Sequence, residues 1–187
     1  MGGRPLAVAI TGGIAAGKSE ALAAFARHGA ATLSADDLVH DLLARDPEVR
    51  EAIRAHWGED AVGDRARIGE IVFADPAELE WLERLLHPKT RAAADAWLAE
   101  VDRPVAVVEV PLLYETGGES RFDAVVVITA HPDVRGRRRA GLAERESRLI
   151  PDEAKVERAD FAFVNDGTLD DLDEFVAGVM ARLSSAS

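Results

Sequence analysis

The segment 6–28 constrains this chain more than any other. Residues 6–10 are an uncharged apolar run, the pattern of a strand buried on both faces. They lead into Gly12, Gly13, Ile14, Ala15, Ala16, Gly17, Lys18 and Ser19, which match G-x-x-x-x-G-K-[ST]. Residues 19–28 are alanine-rich with few helix breakers, and Gly29 is placed as a helix stop. Strand, glycine loop and helix in this order aim backbone N–H groups and the positive end of a helix dipole at a polyphosphate. Glycine at 12 and 17 permits angles and a close approach that side chains would block. Lys18 can reach β/γ-phosphates, and the Ser19 hydroxyl can ligate Mg²⁺. An Ala/Gly-rich turn could match by chance, but the flanking strand and helix argue against it. The segment implies a nucleoside triphosphate site.

The rest of the chain alternates in the same way. Residues 105–110, 123–129 and 161–164 are apolar runs suited to buried parallel strands, and 30–33 is a weaker one. Helical patterns cover 38–44, 47–57, 76–86 and 88–101, with Pro88 read as a first helical position. The pattern at 169–183 repeats Leu172, Phe175, Val176 and Val179 at helical spacing. Together these predict an α/β, P-loop NTPase-type doubly wound parallel sheet. The nucleotide-binding core is expected over 1–35, 101–131 and 159–187. The stretch 36–100 reads as a helical insertion, 132–158 as a mobile, mostly helical segment, and 184–187 as a frayed tail.

Composition narrows the function classes. With 187 residues, 48% apolar and 30% charged, the chain can bury one core, or one core with small inserted subdomains. It has no cysteine, which excludes disulfides and thiolate metal sites. There is no signal peptide or membrane-length apolar stretch, so a cytoplasmic protein is expected, as a monomer or small homo-oligomer. A net charge of −12 argues against nucleic acid or an acidic membrane as partner. Residues 131–148 break that trend, with Arg135, Arg137, Arg138, Arg139, Arg145 and Arg148 against Asp133, Glu144 and Glu146. They read as a phosphate-handling element or as a solvated helix face.

Other candidates carry two readings each. Glu109 ends an apolar strand, as a Walker B acid holding Mg²⁺ does, or is a structural acid; Glu115 is similarly ambiguous. Asp36 and Asp37 sit at the carboxyl edge of the second strand, where one could take a proton from an attacking hydroxyl or merely cap a helix. His87 reads as a catalyst or as a structural residue, a helix cap or a packed side chain. Asn165, Asp166 and Gly167 form a turn signal that could also touch an adenine.

Read together, the segments resemble the dephospho-CoA kinases along nearly the whole chain. The resemblance rests on Thr11 to Ser19, Ser34-Ala35-Asp36, Asp64-Arg65 before Ile71-Val72-Phe73, and Leu85-Leu86-His87-Pro88. It continues through Val110-Pro111-Leu112-Leu113-Tyr114-Glu115, Ala159-Asp160 and Asn165-Asp166-Gly167. It implies transfer of the ATP γ-phosphoryl group to the ribose 3′-hydroxyl of dephospho-CoA, with ATP and Mg²⁺ bound. It further implies a helical substrate domain over 36–100 and an arginine-bearing lid over 132–158. By the same resemblance Lys18, Asp36 (as base) and Arg138 are catalytic, and residues 12–20 with Asn165 hold the nucleotide. Asp36, Arg65, His87 and Leu112 face the acceptor, Arg145 and Arg148 are lid contacts to phosphate, and Ser19 and Glu109 serve the metal. The chain departs from the pattern at Ser34, where an aspartate is common, and at Glu20, where a second hydroxyl residue is common. Leu149 and Pro151 replace an expected glutamine and small hydroxyl residue, and the lid is short.

Overall fold

The computed structural model describes residues 4–138 and 149–185. Five strands, β1 (Leu6–Gly12), β2 (Ala31–Ser34), β3 (Val105–Glu109), β4 (Ala124–Thr129) and β5 (Phe161–Val164), form one sheet in the order β2-β3-β1-β4-β5. Every pairing is parallel. The central strands β1, β3 and β4 are apolar and buried along nearly their whole length, as a sheet covered on both faces requires. Alternate residues serve opposite layers. Val8, Ile10, Val107, Val126 and Ile128 pack with α1 (Lys18–Arg27) and α8 (Leu169–Ser185), around Phe25 and Val176. Ala9, Val125 and Val127 face the other way, against Leu113 and Tyr114. Each large side chain so buried contributes about 1.5–3 kcal/mol.

The chain divides into two compact units, residues 1–34 with 98–187, and residues 35–97. The second unit lies within α2 (Ala35–Arg45), α3 (Pro47–Trp57), α4 (Arg65–Ala74) and the greater part of α5 (Pro76–Glu100). Its own core gathers Leu43, Val49, Ile53, Ala61, Ile68, Leu82 and Leu86. Two aspartates start its helices. Asp46 accepts the Val49 amide (2.9 Å), with Pro47 in the first turn, and Asp64 accepts the amides of Ala66 and Arg67 (both 3.0 Å).

The structure corrects one expectation here. Pro88 does not begin a helix but lies inside the continuous α5, so His87 is mid-helix and caps nothing. The ring removes one backbone donor, but Leu82, Leu86 and Ala94 keep one helix face buried on either side of it. Lys89, the next residue, ion-pairs Asp46 (3.2 Å) and Glu48 (2.6 Å) and so ties this point of α5 to the start of α3. At the C-terminus α8 runs to Ser185, past the start of the expected frayed tail.

Between β4 and β5 the described residues hold α6 (Pro132–Arg138) and α7 (Asp152–Val156). Arg145 and Arg148 lie outside the described residues.

Candidate active site

The phosphate loop runs from the end of β1 to the start of α1. Gly12 has φ +140°, and a Cβ there would meet the Ile128 carbonyl oxygen at 1.8 Å. The loop can therefore press against β4 only with glycine at this position. Ala15 lies in the left-handed region (φ 59°). Gly17 at the N-cap has φ +102°, and a Cβ on it would lie 2.2 Å from Asn165 Nδ2. Gly17 at the N-cap has no side chain to cap the first turn of α1, and backbone amides at a helix N-terminus are donors suited to an anion. Ser19 and Glu20 in that turn are solvent-exposed. Glu20 thus points to water beside the positive helix end, where a carboxylate is favourable.

Lys18 folds back along the loop, its Nζ donating to the carbonyls of Gly12 (3.2 Å) and Gly13 (2.9 Å). From there an ammonium group can swing onto a bound phosphate. Two residues distant in sequence hold the other side of the loop. Asn165 is buried, and its Nδ2 donates to Ala16 O at 2.8 Å. Arg138 donates through Nη1 to Ala15 O (3.3 Å) and Ala16 O (3.2 Å), and through Nη2 to Asn165 O (3.1 Å). Asn165 therefore has a structural duty on the loop in addition to any contact with a base.

Glu109 is buried at the end of β3, in register with Ile10 of β1, which is two residues before Gly12 of the loop. Among the described residues no three His, Asp or Glu side chains cluster as a metal cage. The Ser19 hydroxyl and the Glu109 carboxylate are hard oxygen donors, the kind of ligand that Mg²⁺ takes from a protein. Leu112 follows in the turn after β3, half-buried.

In the helical unit Asp36 is exposed in the first turn of α2. Arg65 Nη1 lies 2.8 Å from His40 Nδ1, and donation from the guanidinium makes that ring nitrogen the acceptor. His40 is one turn beyond Asp36, so Arg65 reaches the α2 face that carries the carboxylate. His87 is exposed on α5.

Sequence reasoning missed a second charged group at the loop. Asp152 at the start of α7 and Arg135 on α6 both pack on Gly13, where a Cβ would lie 2.7 Å from Asp152 Oδ2 and 3.0 Å from Arg135 Nη1. The two charges are 3.9 Å apart. Burial pushes the Asp152 carboxyl above its ordinary range, against the opposing pull of Arg135, Lys155 and Lys18. A cavity of about 460 Å³ opens here, lined among others by Gly13, Thr129, His131, Arg135, Asp152 and Asp166. The available signal was the run of arginines, which pointed to the segment and not to this one residue.

A parallel five-stranded sheet with β1 central, entering a glycine loop and helix at its carboxyl edge, defines a P-loop nucleotide-binding α/β protein. Comparison with known proteins narrows that class. The family model for dephospho-CoA kinase matches residues 6–171. A dephospho-CoA kinase of Brucella melitensis is 35% identical over 191 residues, covering 96% of each chain. A crystal structure of a Thermus thermophilus protein superposes with TM-score 0.81 at 32% identity, over 97% of this chain and 99% of the other. Dephospho-CoA kinase from Campylobacter jejuni superposes with TM-score 0.74 at 26% identity, over 97% and 98%. The chain belongs to the dephospho-CoA kinase family.

Proposed function

We propose that the chain transfers the γ-phosphoryl group of ATP to the ribose 3′-hydroxyl of dephospho-CoA, giving CoA and ADP. Membership of the family across residues 6–171 carries the reading, and the built phosphate loop supports it. The loop amides and Lys18 bind and neutralise the polyphosphate, with Arg138 and Asn165 holding the loop's shape. Asp36 orients the acceptor hydroxyl and takes its proton. Arg65 and His87, in a substrate domain over 36–100, and Leu112, after β3, contact the acceptor. Ser19 and Glu109 hold Mg²⁺, which when bound supplies charge neutralisation to the transferring group. Residues 132–158 serve as the lid that excludes water from the transfer, with Arg145 and Arg148 as its candidate phosphate contacts. A cytoplasmic location belongs to the same reading, and no described helix is long and apolar enough to cross a membrane.

The test is ATP consumption across a panel of acceptors with product identification. Dephospho-CoA is expected to be turned over well above nucleoside monophosphates and sugars, and no rate above background with it would sink the reading. Lys18→Ala and Asp36→Asn are each expected to lower kcat by at least ~100-fold in folded protein. Near-normal turnover by Asp36→Asn would remove that residue from the role of base. Arg138→Ala is expected to slow transfer as well; an effect on the KM for ATP alone would make it a ground-state binding residue.

A further inference from the structure

Glu115 is absent from the phosphate loop, yet it is tied to it through two other segments. After β3 the chain makes a tight knot in which Thr116 N donates to Leu112 O (3.1 Å) and Gly118 N to Leu113 O (2.9 Å). Leu113 and Tyr114 of this knot are buried against the sheet. Glu115 is thereby held toward α7, where its Oε1 lies 2.8 Å from Lys155 Nζ. Both groups are withdrawn from water, the lysine side chain at 1% exposure and the glutamate at 14%. The same oxygen accepts the Ile150 amide at 3.2 Å. Three residues beyond Lys155, Arg158 lies 4.3 Å over the Tyr114 ring and pairs with Glu119. Lys155 and, in the turn after α7, Arg158 therefore fasten the arm 149–158 to the knot.

The arm carries more than its own anchor. Asp152, three residues before Lys155, packs with Arg135 directly on Gly13. Lys155 and Asp152 share one short helix, so the depth at which Lys155 is held bears on where Asp152, the ion-pair partner of Arg135, stands against the phosphate loop. Stability alone does not call for a charged anchor, because a well-packed apolar pair of similar volume is commonly as stabilising as a buried ion pair. What the ion pair adds is attraction between two groups withdrawn from water, with direction supplied by the Ile150 amide donating to the same Glu115 oxygen.

We propose that Glu115 is a positioning residue of the nucleotide site: through Lys155 and the Ile150 amide it fixes the arm that sets Asp152 and Arg135 against Gly13. The role in turnover rests on the phosphotransfer reading above, whereas the role in nucleotide affinity does not.

The experiment compares wild type, Glu115→Gln and the apolar double variant Glu115→Leu with Lys155→Met. Each is measured by thermal melting, ATP affinity by calorimetry, and transfer to dephospho-CoA. The double variant is expected to melt at or above the wild-type temperature while binding ATP at least about fivefold more weakly and turning over more slowly. Glu115→Gln keeps the shape and loses the charge, and is expected to move ATP affinity in the same direction. It decides the matter by itself should the double variant not fold. ATP affinity within twofold of wild type in the folded variants would overturn the proposal. Should wild type bind ATP but give no CoA, the acceptor reading fails, and ATP affinity still decides the role of Glu115.

Discussion

At Gly13 one carboxyl works against the charge the loop is built to receive. Asp152 is partly desolvated, and burial outweighs Arg135, Lys155 and Lys18 in raising its pKa. A carboxyl raised in the folded state has its favourable contribution fully present below its unfolded value of 3.8 and loses it as pH rises through the folded value. At neutral pH, therefore, ionised Asp152 costs stability. Asp152→Asn is expected to melt at or above wild type at pH 7, with the difference shrinking as pH falls toward 4. Thermal melts at the two pH values check this; a difference that does not change with pH would mean that ionisation is not the cost. Glycines 12 and 17 were legible from the motif, because the backbone path itself demands them. Asp152 was not legible, because only the fold brings α7 across to β1.

The same contrast holds between elements. The strands stood out because β1, β3 and β4 are covered on both faces, which leaves runs with almost no polar residue. The helix 76–100 read as two because a proline after a histidine is a strong local stop signal. The rows Leu82, Leu86 and Ala94 show why tertiary packing prevailed: one buried face continues across the proline, and Lys89 secures it from outside. Replacing Pro88 by Ala restores a helix amide and a better helix former. Pro88→Ala is expected to stabilise the protein by up to about 3 kcal/mol, read by denaturant titration. A loss of stability would show that the ring itself fills a packing space.

At the scale of the whole molecule the described residues gather into hydrophobic clusters on both faces of the sheet and a separate one among α2 to α5. Ile53 is fully buried in the helical cluster. Ile53→Ala is expected to cost about 2–5 kcal/mol, with ATP affinity at the loop retained under native conditions. Calorimetric unfolding together with ATP titration tests this, and loss of nucleotide binding in the folded variant would contradict it.

The sheet order has a consequence for how the chain is made. The central strand β1 is flanked by β3 and β4, whose residues lie about a hundred positions downstream, and Ala16 waits for Asn165, 149 residues away. A ribosome therefore releases the phosphate-loop sequence first and the parts that shape it last. Until Asn165 has emerged, the nascent chain carries the motif without the finished cradle.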